Sequence, residues 1–132
     1  MNSPIQARED LPRVPYRQAP LVLLLLAAAI LAITWPWAAN FATATFDHWD
    51  PPFHAWKLEL VARSILAGHL LPPDGNTNMY YPHPGTLYFE ALHWPQAVVA
   101  AVLFGLTGFN SLLVYHLVLV FFWALSGLCF WM

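Results

Sequence analysis

Three long apolar runs separated by polar segments organise the chain. The first is Leu21 to Ala39, interrupted only by Thr34 and Pro36. It approaches the about 20 apolar residues that span a bilayer. The second extends from about Tyr88 to Thr107. The third, Ser111 to Met132, has His116 and Ser126 as its clear polar interruptions. The pattern predicts an all-α integral membrane protein with three transmembrane helices at 20–39, 88–107 and 111–132. Before them lies a polar, proline-rich tail at 1–19, expected to be flexible and cytoplasmic. Between the first two lies a long extracytoplasmic loop at 40–87.

That loop carries helix signals of its own. Asp50-Pro51-Pro52 combines a favoured cap residue with proline at the first helical position. The stretch that follows predicts a helix over about 51–68, ending near Gly68. Glu59 and Arg63 share a stripe at i,i+4 spacing, while Phe53, Trp56, Leu58, Leu60, Val61, Ile65 and Leu66 make most of the surface apolar. Such a helix is too short and too charged to span, so it should lie along a membrane surface or pack under other segments. Pro72-Pro73-Asp74-Gly75-Asn76 is turn chemistry, and Gly108-Phe109-Asn110 a short turn.

Composition sharpens this picture. The 132 residues are 59% apolar and 9% charged, with a net charge of −2, against about 25% charged in a soluble domain. Residues 91–132 carry no formal charge. This excludes a soluble globular domain, a disordered chain and a nucleic-acid binder, which would need a basic patch. The single cysteine, Cys129, excludes an internal disulfide framework and reads as a small packing residue. Arg8, Arg13 and Arg17 precede the first run and place the N-terminus in the cytoplasm. A cleaved signal peptide is the alternative for that run, with Ala42-Thr43-Ala44 as a loose cleavage site. The length of the run and the belt formed by Trp35 and Trp37 favour a retained helix. No polar tail follows Met132, so the chain is expected to be the first piece of a longer multi-spanning protein.

The arrangement of a large outer loop with an early Asp and an interfacial helix behind it resembles the N-terminal region of GT-C-type membrane glycosyltransferases, the superfamily of the protein mannosyltransferases. The matching stretches are Asp50-Pro51-Pro52-Phe53-His54-Ala55-Trp56, Tyr81-Pro82-His83-Pro84-Gly85-Thr86-Leu87, and Glu90. Further on, Leu106-Thr107-Gly108-Phe109-Asn110 runs toward Tyr115 and Leu125-Ser126-Gly127. The resemblance covers roughly residues 20–132. It implies transfer of a sugar from a polyprenyl-phosphate donor to an acceptor on the outer face of a bacterial plasma membrane. It also implies many more helices than three, so that this chain alone would be inactive.

Glycosyl transfer needs a carboxylate to deprotonate the acceptor or stabilise the developing sugar cation, and cations or a metal to hold the leaving phosphate. Asp50 and Glu90 are the catalytic candidates. For Asp50 the resemblance points to the functional role, while a helix cap is the plainer one. Glu90 stands at the mouth of an apolar run, where an ionisable group is costly. Asp47, His54, Lys57, Arg63 and His83 are the candidate substrate-binding residues; for Arg63 the plainer role is a surface pair with Glu59. A divalent metal is conceivable around Asp50, His54, His83 and His93, but no HExxH or tight ligand cluster stands in the sequence. His116 is expected to hydrogen-bond a neighbouring helix. The implied partners are membrane lipids, the lipid-linked donor and further helices, with no nucleic acid. A non-enzymatic membrane subunit packing on partner helices is the alternative. A transporter half is disfavoured, because the polar groups gather at the outer boundary.

Overall fold

The computed structural model describes residues 16–45, 50–70, 93–108 and 110–132. Among these the chain is helical, without strands: α1 (Ala19–Ile33), α2 (Asp50–Leu66), α3 (Trp94–Thr107) and α4 (Ser111–Trp131). Single 3-10 turns lie at Tyr16–Gln18 and Trp37–Asn40.

Each helix boundary has a local cause. Pro20 stands in the first turn of α1, where its missing N–H costs nothing. The expected helix to residue 39 stops at Ile33 instead. Pro36 has no N–H to continue the ladder, and the Thr34 hydroxyl closes the end by donating to the Ile30 carbonyl at 2.8 Å. The apolar run then finishes as the Trp37–Asn40 turn. Asp50 is the first helical residue of α2, one place further in than a cap, where a carboxylate also suits the helix dipole. At the other end Gly68 takes φ 83°. The N–H of Gly68 bonds Ile65 and that of His69 bonds Ser64, both at 2.9 Å, a Schellman closure that needs the left-handed residue glycine tolerates. Left-handed residues also bound α3, His93 at φ 47° and Gly108 at φ 66°. Asn110 caps α4, its side chain accepting from the Leu113 N–H at 2.9 Å.

The core joins α2, α3 and α4. Leu58, Val61 and Ala62 meet Ala97, Ala100, Ala101 and Phe104, with Val114 and Val118 behind them. The alanines of α3 recur at i, i+3 and i+4, and such small residues let backbones approach closely. Helix α1 packs chiefly on α4 among the described helices. They run antiparallel: Leu26 lies against Gly127, and Phe41, just beyond α1, lies against His116 near the start of α4.

Two segments are long and apolar enough to cross a membrane, Tyr16–Ile33 and Ser111–Trp131. Helix α3 has 14 residues, about 21 Å at 1.5 Å per residue, short of the about 30 Å hydrocarbon core. Of the three expected spans, the first and third have helices of the required length. The second, placed at 88–107, is described only from His93 onward and there is too short.

Candidate functional site

One face of α2 gathers polar chemistry. Asp50, His54 and Lys57 stand at i, i+4 and i+7, one stripe of a helix. Packing that stripe toward α3 and α4 creates a cavity of about 220 Å³. Its polar lining is His54 and Lys57 from α2, His93 and Gln96 from the start of α3, and Tyr115 from α4; Leu58, Val118 and Leu119 form the apolar wall.

Lys57 is the unusual member. Its residue is only 4% exposed, although burying an ammonium is costly without compensation. Part of that compensation is the Phe53 ring, whose centroid lies 5.2 Å from Nζ. His54 and His93 approach edge-to-face with ring centroids 5.8 Å apart. Asp50 is exposed and within electrostatic reach of the Tyr115 hydroxyl. Gln96 Oε1 is buried with no hydrogen-bond partner among the described residues. The cavity can therefore hold an anion against Lys57 and the imidazoles.

Three sequence candidates meet here: His54 and Lys57 in the lining, and Asp50 beside it. Arg63 does not. It sits further along α2, exposed, with its guanidinium 2.6 Å from Glu59. That is the surface pair its spacing allowed. Glu59 also accepts from the Ser111 hydroxyl, so this carboxylate ties α2 to the start of α4. Asp47, His83 and Glu90 lie outside the described residues. Among the described residues no three His, Cys, Asp or Glu side chains converge as metal ligands.

Sequence reasoning missed Gln96 and Tyr115. Tyr115 is one aromatic among many in an apolar helix, so nothing local marks it. Gln96 had a signal: it is the one amide between Glu90 and Asn110. The cavity extends along α4 as far as Val118 and Leu119. Val118 is seven residues beyond Ser111, roughly 10 Å along α4.

A second buried polar group lies outside the cavity. His116 is fully buried, and its Nδ1 donates to the Phe41 carbonyl at 2.9 Å. The imidazole stacks on the Phe41 ring at 4.7 Å and meets Trp37 edge-on at 4.8 Å. The partner expected on a neighbouring helix is instead the backbone at the end of the turn that follows α1.

Comparison with protein-family models, with curated proteins and with solved structures found no match to this chain.

Proposed function

We propose that the chain is the N-terminal part of a membrane glycosyltransferase that moves a sugar from a polyprenyl-phosphate donor to an acceptor on the outer face of a bacterial plasma membrane, with its N-terminus in the cytoplasm. The observation that carries this reading is the buried Lys57, set with His54 and His93 in a cavity beside the apolar helix α4. A lipid phosphate is an anion delivered from within a membrane, and a cavity with cationic donors on one wall and aliphatic side chains on the other suits both halves of it.

On this reading Lys57 and His54 hold the leaving phosphate and stabilise its growing charge. Asp50, within electrostatic reach of Tyr115, orients or deprotonates the acceptor, and Glu90 is a second acid. Whether a divalent metal assists is part of the same test.

The test is binding of a short-chain polyprenyl phosphate to the chain in lipid nanodiscs. The wild type is expected to bind, Lys57→Met to weaken binding at least tenfold, and Arg63→Gln to leave it unchanged. Equal affinity of Lys57→Met and wild type would overturn the assignment. Repeating the titration with a chelator reads out the metal. In the protein as it occurs in cells, Asp50→Asn should abolish transfer while membrane insertion stays normal.

One observation favours a non-enzymatic subunit as the second reading. In the Tyr16–Ile33 segment no residue is buried, so most of α1 is free to meet partner helices. That reading expects Asp50→Asn to leave any associated activity intact.

A further inference from the structure

We infer that the chain crosses the membrane twice, through α1 and α4, and that the segment carrying α2 and α3 adds no further crossing. The inference does not rest on the glycosyltransferase reading. It rests on where two distant points of the chain meet. His116, in the second turn of α4, bonds the Phe41 carbonyl at 2.9 Å. Asn110, the residue before α4, donates its amide to the Ala42 carbonyl at 3.3 Å. The exit of α1 and the entry of α4 are therefore on one side. Farther along, Leu26 against Gly127 and Ala27 beside Ala124 continue the same antiparallel seam.

Parity then constrains everything between. A segment that starts and ends on one side crosses an even number of times, none or two. Helix α2 carries Asp50, Lys57, Glu59 and Arg63, too many charges for a lipid-exposed span. Helix α3 is bounded by left-handed residues at 14 residues, and it would supply one crossing, not two. The stretch 71–92 includes Asp74, Glu90, Pro72, Pro73, Pro82 and Pro84 and no apolar run of spanning length. Zero crossings remain.

Two consequences follow. The chain's two described ends, near Gln18 and Met132, lie on the same side, which the arginines before α1 make cytoplasmic. The α3–α4 turn then lies on the opposite side, together with the exit of α1.

The experiment is cysteine accessibility in intact cells, in a Cys129→Ser background, with a membrane-impermeant maleimide. Single cysteines are placed at Gln18, Ala39 and Met132, and at the turn by either Leu106→Cys or Asn110→Cys, so that loss of the Asn110 cap does not decide the outcome. The expected result is labelling of Ala39→Cys and of a turn cysteine in intact cells, with Gln18→Cys and Met132→Cys labelled only after the membrane is opened. Three crossings would give the opposite pattern at two places: the turn closed and Met132→Cys open in intact cells. That result overturns the inference, as does any pattern in which the turn and Ala39 differ or in which no position distinguishes the two sides. A glycosyltransferase could pass or fail its binding test with either topology, so the two proposals fail separately.

Discussion

Lys57 shows how much a single side chain can carry. A residue that is 4% exposed holds its charge at a cost that neighbouring groups must offset. Lys57→Met keeps most of the aliphatic stem and removes the ammonium. It is expected to abolish anion binding while the variant stays folded in detergent, at some cost in stability, because removing one member of a buried interaction leaves its partner uncompensated. A fall of stability matching the loss of binding would make the lysine structural. Glu59 offers a contrast of partners. Its ion pair with Arg63 is largely exposed on the arginine side and belongs to the class worth about 0.3–0.5 kcal/mol. Its bond from Ser111 joins two helices and, being charge-assisted, is worth about 1.5–3 kcal/mol. Ser111→Ala should therefore cost more than Arg63→Gln in denaturant unfolding; the reverse order would remove Glu59 from its role as a clasp. His116→Ala removes a fully buried ring together with its bond to Phe41 and is expected to cost about 3 kcal/mol.

At the scale of elements, boundaries are set locally and packing is not. Asn110→Ala takes away a cap whose acceptor serves the Leu113 N–H and should cost about 1 kcal/mol, read as a lower unfolding midpoint. The seam of α1 on α4 depends on Gly127, where an added Cβ would come 3.1 Å from Leu26 Cδ1. Alanine can be met by a shift of that flexible leucine. Gly127→Val cannot, because its two further methyl groups enter the same space. A cysteine cross-link between positions 27 and 124, which line the seam, is expected to form in the wild-type background and to be lost in Gly127→Val. These elements were largely legible beforehand. The Pro51 start, the Gly68 stop, the turn before Ser111 and the Glu59–Arg63 pair are all short-range effects written within a few residues. Only Pro36 acted more strongly than expected, ending α1 six residues early.

Across the whole molecule, the decisive contacts are those between points remote in sequence. The Phe41–His116 and Ala42–Asn110 bonds bring the end of α1 to the start of α4, and the proposal of two crossings rests on them. The sequence by itself determined that the chain is helical and strongly apolar, where α2 ends and α4 begins, and that Asp50, His54 and Lys57 share a face, because hydrophobic run length, helical period and turn chemistry are local properties. It did not determine which helix packs on which. Helices α1 and α4 are apolar around their whole circumference, so no face is marked for burial. The tertiary structure alone decided the antiparallel seam, the depth of Lys57, and the meeting of His54, His93, Gln96 and Tyr115 from three helices. That meeting depends on close packing of particular small residues, Ala97, Ala100 and Ala101 against Val61 and Val114, a complementarity of shape that the order of apolar and polar positions does not encode.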